Sequence, residues 1–170
     1  MMKRIFPLAL VTLGILLSFA AFGQLHRGTL RATPEESGAL PAQIAGLDLS
    51  SYESGEAAIS EFTSMHGQEF PVTSGSIGYY GNGRITLWLA GTGNKSIAAD
   101  MVSNMQARIA EGNSPFTPID EIQNNDRKVY LLEGMGQKHY YFQSNNLVIW
   151  LASDSSTADE AIQQILEVYP

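Results

Sequence analysis

The chain contains no cysteine, and that absence removes several kinds of protein at once. A disulfide framework, a zinc–thiolate centre, a thiol nucleophile and a lipid-bearing cysteine all need a residue that is missing. Basic residues are scarce as well: ten Lys and Arg stand against seventeen Asp and Glu, for a net charge of −7. Lys3 and Arg4 sit at the extreme N-terminus, so the chain after Gly23 carries 8 basic and 17 acidic residues, a net of −9. Phosphate contacts need clustered Lys and Arg, and a nucleic-acid partner is therefore excluded. Long apolar runs do not recur after residue 23, which excludes a polytopic membrane protein. Length and composition fit one modest acidic domain behind a hydrophobic leader, not a multidomain, collagen-like or disordered chain.

The leader supplies the address. Met1 to Arg4 form a short basic stretch, and Ile5 to Gly23 follow without a charge. Two readings fit: a signal peptide cut after Ala21-Phe22-Gly23 or Ser18-Phe19-Ala20, or an uncleaved anchor formed by residues 5–23. Either way the positive-inside rule holds the N-terminus in the cytoplasm and puts the rest outside, secreted, periplasmic or tethered to the membrane. Residues 24–40 are polar, hold Pro34 and Gly38, and read as a linker or stalk. A single globular domain is expected over 41–170.

Within that domain the apolar spacing predicts three helices, over about 55–66, 96–111 and 158–169. Ser54 is the expected N-cap of the first and Gly67 its stop, while Thr157 and Glu160 form a capping box for the third. Strands are expected at 76–80 and 84–90, around the hairpin signal Gly81-Asn82-Gly83. A three-strand meander should follow at 128–133, 137–143 and 147–152, with a weaker strand near 116–122 beside Pro115 and Pro118. The order describes an α+β domain on a largely antiparallel sheet. Tyr79-Tyr80 precedes Trp88-Leu89-Ala90 much as Tyr140-Tyr141 precedes Trp150-Leu151-Ala152, and a loop and helix follow each. That parallel suggests an internal ββα duplication; against it, aromatic and β-branched residues crowd into any strand.

Signals for chemistry are weak. Gly91-Thr92-Gly93-Asn94-Lys95-Ser96 opens a helix, yet Asn94 and Leu89 stand where a P-loop needs glycine. It reads as a helix-entry loop whose bare amides could hold an anion weakly. His66 and His139 each have a methionine nearby, Met65 and Met135, a pairing used at soft copper sites. The plainer expectation puts His66 against a helix dipole and His139 on a solvent-facing strand position. Ser74-Gly75-Ser76-Ile77-Gly78 misses the G-x-S-x-G elbow, and the neighbouring acids Asp120-Glu121 and Asp159-Glu160 do not form an acid–base pair. No metal or cofactor is expected.

The most suggestive feature is geometric. Strand alternation gathers Ile85, Leu87 and Leu89 with Leu147, Ile149 and Leu151 on one face, and Trp88 and Trp150 on the other. If the aliphatic face packs under the helices, Trp88 and Trp150 emerge opposite, beside His139 and Tyr141, as a ligand or partner surface. The competing expectation is a sheet buried on both sides, with the first helix or the linker over the tryptophans. The reading is thus a non-catalytic extracytoplasmic binding or interaction module, its partner a protein or small molecule at the cell envelope. Two alternatives stand beside it: a small secreted hydrolase or metal-dependent enzyme using His66 or His139, and a structural domain of an envelope complex.

Overall fold

A computed structural model describes residues 38–66, 70–112 and 114–170. The leader, most of the linker and Gly67 lie outside the described residues. In the described part the chain forms one open, antiparallel, eight-stranded sheet and three helices, an α+β fold. In chain order the elements are β1 (Gln43–Ile44), β2 (Leu47–Ser54), α1 (Glu56–His66), β3 (Val72–Tyr80), β4 (Ile85–Thr92), α2 (Lys95–Ala110), β5 (Thr117–Asn124), β6 (Arg127–Gly134), β7 (Gln137–Ser144), β8 (Leu147–Ser153) and α3 (Ala158–Val168). Across the sheet the order is β1-β2-β3-β4-β8-β7-β6-β5. Two meanders therefore meet at β4 and β8, where Trp88 lies directly opposite Trp150. None of the described helices is long and apolar enough to cross a membrane.

Helices cover both faces of the sheet, the second of the two arrangements the sequence left open, and not the one that gathers them on the aliphatic face. Ala158, Ala161, Ile162 and Ile165 of α3 pack on Ile85, Leu87, Leu89, Phe142, Ile149 and Leu151. On the tryptophan face, α1 sets Ala58 and Phe62 against Ile77, while α2 sets Ala98, Val102 and Ile109 against Leu132, Tyr141 and Val148. Gly75 lets α1 approach closely, because a Cβ there would stand 2.9 Å from the Phe62 ring and 3.1 Å from Ala58 Cβ.

The entering chain fastens to the aliphatic face. Tyr169 donates its hydroxyl to the Ala39 carbonyl at 2.8 Å, and Tyr80 donates to Pro41 at 2.9 Å. Leu40 and the fully buried Ile44 complete that core, so packing begins ahead of Pro41. Burial pushes both hydroxyls well above the usual tyrosine range, which keeps them protonated donors.

An open sheet exposes two edges, and each is blunted by its own residues. On β1, the Gln164 side chain of α3 donates Nε2–H to the Gln43 carbonyl at 2.9 Å, and its Oε1 accepts from the Ala45 N–H at 2.9 Å. One carboxamide thus imitates a neighbouring strand. On β5, Pro118, a register shift before Asp120, and the Asp120 carboxylate accepting the Glu121 N–H at 2.8 Å all interrupt the free edge. Gln164→Ala is expected to cost about 1–2 kcal/mol. Hydrogen exchange should show the loss first as faster opening of 43–47.

Three local expectations change. Thr157 makes no side-chain cap to α3; its hydroxyl lies 3.0 Å from Ser153 Oγ and 3.3 Å from the Asp154 carbonyl, so the capping box is not formed. Ser54 ends β2 instead of capping α1, and Gly55 makes the turn with φ +64. The expected bare amides before α2 are occupied: Asn94 Oδ1 accepts from Ser96 N–H at 2.9 Å and Ile97 N–H at 3.1 Å. A side-chain oxygen therefore sits where an anion would bind.

Candidate functional site

The register of five strands builds an aromatic row. Ile77 on β3 faces Trp88 on β4; Trp88 faces Trp150 on β8; Trp150 faces Tyr141 on β7; and Tyr141 faces Tyr130 on β6. Side chains directly opposite on antiparallel strands share a face, so all five point to the side covered by α1 and α2. Trp150 and Tyr141 stack with centroids 5.3 Å apart and planes at 13°, and Tyr141 and Tyr130 stack at 4.7 Å and 14°. Each such pair contributes about 0.5–1.5 kcal/mol beyond its buried area. Tyr130 ends the row by donating its hydroxyl to Gln106 Oε1 of α2 at 3.3 Å.

His139 belongs to the next row, opposite Ala152 on β8 and Leu132 on β6, on the same face. Trp150 Nε1–H donates to His139 Nδ1 at 3.1 Å, and His139 Nε2 lies 3.0 Å from the Gly134 carbonyl. An indole N–H can only donate and a carbonyl can only accept, so the ring must be neutral with its proton on Nε2. Phe116, in the segment entering β5, closes over the pair, with its ring 4.7 Å from His139 and 5.1 Å from Trp150. Glycine is required at position 134: a Cβ there would stand 2.5 Å from Phe116 and 2.7 Å from the Pro115 carbonyl.

All four residues singled out in the sequence, Trp88, Trp150, His139 and Tyr141, thus lie together on one face. The face is not open along its length. Tyr141 is 1% exposed and His139 4%, which corrects the solvent-facing expectation for His139. Trp88 and Trp150 are half-buried. Trp88 packs with the residues under α1, Trp150 with those under α2, and Ala90 with both. What remains for contact is the accessible part of the two tryptophans, a seam where the cluster under α1 meets the cluster under α2 at Ala90.

No protein-family model, curated protein or solved structure matches this chain. The site therefore stands on its geometry.

Burial lowers the His139 pKa from its ordinary value, opposed in part by the bond to Gly134. As pH falls, the unfolded chain, with its ordinary histidine pKa near 6.5, takes up the proton before the folded chain does. Its stabilising contribution is therefore full above about pH 6.5 and is lost as pH drops toward the lowered folded value. Urea midpoints measured across that window should fall in the native chain and stay flatter in His139→Gln.

His66 sits apart, exposed at the end of α1, with Nδ1 2.7 Å from the Phe62 carbonyl and its ring 4.4 Å from Phe70. Among the described residues no group of three His, Asp or Glu side chains could hold a metal ion. A separate open cleft of about 510 Å³ lies along α2, lined in part by Lys95, Arg127, Lys128 and Tyr130. Two of its three cations are already engaged: Lys128 meets Glu121 at 2.6 Å, and Arg127 donates to the Leu166 and Tyr169 carbonyls. Phe116 and Tyr130 belong to the aromatic cluster but were not marked by the sequence. Tyr130 could have been found as a third aromatic at the matching position of the meander; Phe116, between two prolines, carried no periodic signal.

Proposed function

We propose that this chain is a non-catalytic extracytoplasmic binding module whose ligand or protein partner contacts the Trp88–Trp150 seam. The observation that supports this reading is the pairing of two half-buried tryptophans directly opposite each other, backed by stacked Tyr141 and Tyr130. Large, rigid aromatic side chains bury much area at little entropic cost, which suits a recognition surface. The engagement of both His139 ring nitrogens, by Trp150 and Gly134, argues for a support of the seam over a metal ligand or general base. The leader would place the module outside the cytoplasm, secreted, periplasmic or held at the membrane by residues 5–23. An internal ββα duplication would account for the opposed tryptophans, with the helices after β4 and β8 having diverged to opposite faces.

The test is recovery of what the full chain carries from its native membrane fraction, comparing native protein with Trp88→Ala and Val168→Ala. A discrete ligand or partner should be lost with the seam variant and kept with the exposed Val168 control. A native chain that is recovered metal-free, monomeric and without partner overturns the reading.

A further inference from the structure

Trp150, on the seam's floor, is held by a polar joint whose geometry sets a condition on it. Trp150 Nε1–H reaches His139 Nδ1 at 3.1 Å while His139 Nε2 lies 3.0 Å from the Gly134 carbonyl. We propose that His139 is a proton-operated latch that holds Trp150 in the seam when neutral and releases it when protonated. A second proton can enter the ring only at Nδ1, the atom that accepts from Trp150. The bond then becomes two N–H groups facing each other, and the indole has no acceptor to offer in exchange.

Nothing around the ring can absorb the new charge. It is faced by Trp150 and Ala152 from β8, by Leu132 and Gly134 from β6, and by Phe116 from the segment entering β5. None of these is charged. On its own strand, Lys138 points to the opposite face of the sheet, where it lies across from Glu133 of β6 and meets Asp159 of α3 at 3.5 Å. The charged residues of α2, Lys95, Asp100 and Arg108, are exposed, as is Glu111 just beyond it, and Glu121 of β5 is paired with Lys128. A buried cation without a counter-charge is unfavourable, so one of the two rings must move. His139 is 4% exposed, pinned on a central strand under Phe116. Trp150 is half-buried and borders the seam, and is the freer of the two. Lowering the pH thus unfastens one of the two tryptophans while leaving the sheet paired. That this alters binding rests on the seam reading above; the latch itself does not.

The deciding measurement is nitrogen-15 NMR of the full chain in detergent micelles, following the His139 ring and the two indole N–H signals while the pH is lowered from about 8 to about 5, across the ordinary histidine range. The Trp150 signal is assigned by its loss in Trp150→Phe. At the upper pH the His139 ring should carry its proton on Nε2. On titration its midpoint should lie below about 6.5, and the Trp150 indole signal should shift with that same midpoint while the Trp88 signal does not follow. His66→Gln should leave the shift intact and His139→Gln should abolish it. A ring protonated on Nδ1 at the upper pH, a His139 ring that stays neutral throughout the titration, or a Trp150 signal that stays fixed while His139 titrates, overturns the latch. Both readouts use the native protein, and because the chain has two tryptophans, loss of the other signal in Trp88→Phe assigns Trp150 by difference if Trp150→Phe does not fold. No ligand is involved, so a negative result here is distinct from a failure to recover a partner at the seam.

Discussion

Tyr141→Ala is expected to destabilise the domain by about 3–5 kcal/mol, the usual cost of truncating a fully buried aromatic. Tyr141 is 1% exposed and stacks on Trp150 on one side and Tyr130 on the other, so one substitution removes both ring contacts. It also empties the floor beneath α2, where Ala98, Val102 and Ile109 pack in the same cluster. Typical domains are stable by only about 5–15 kcal/mol, so the variant should be marginal at physiological temperature. Urea unfolding should show a lower midpoint with little change in slope. Tyr141→Phe keeps the stack and should cost less than about 1.5 kcal/mol. An equally large loss in the phenylalanine variant would move the weight from the ring to the hydroxyl, and the stacking account would fail.

Arg127→Leu is the second large effect, expected to cost about 1.5–3 kcal/mol through the loss of charge-assisted hydrogen bonds. The guanidinium donates to the Leu166 carbonyl at 3.1 Å, to the Tyr169 carbonyl, and to Asn124 Oδ1 at 3.3 Å. Two of these acceptors belong to the end of α3, whose last carbonyls have no partner within the helix. The same group lies over the Phe142 ring, 5.3 Å from its centroid. Hydrogen exchange should rise first in the last turn of α3. Lysine should rescue little, because a compact ammonium cannot reproduce the planar fork that reaches two carbonyls at once. Full rescue by Arg127→Lys would show that charge alone holds the helix end.

The sequence was most legible where apolar residues are dense. The stripe Ala161, Ile162, Ile165 marked α3 as a helix with one buried face, and the unbroken apolar run Leu147 to Ala152 marked β8, a central strand covered on both faces. β2 left no such signal. Its residues Ser50, Ser51, Tyr52 and Glu53 are exposed, and a strand that buries little carries no hydrophobic period. The face chosen by α2 was equally silent, since its loose stripe of Ile97, Met101 and Met105 could seat on either side of the sheet. Alternation did bring Trp88, Trp150, His139 and Tyr141 to one side. The depth at which each lies could not be read, because it is set by α1, α2 and Phe116, none of which is near those strands in the sequence.

The fastening of the entering chain has a consequence for the order of assembly. Ala39 and Tyr169 are joined by a hydrogen bond that spans 130 positions, and Gln164 holds β1 across a separation of about 120. Contacts that close so long a loop cannot form until nearly the whole domain has been made. During synthesis Gly38 to Ile44 must wait, first to be translated and last to find their place. Until α3 arrives, Ile44 has no lid and the main chain of β1 has no partner on its outer side. The vulnerable species in the life of this protein is therefore the chain that has completed β8 and lacks α3. Its exposed surface, not that of the finished fold, is what a chaperone or a protease would meet.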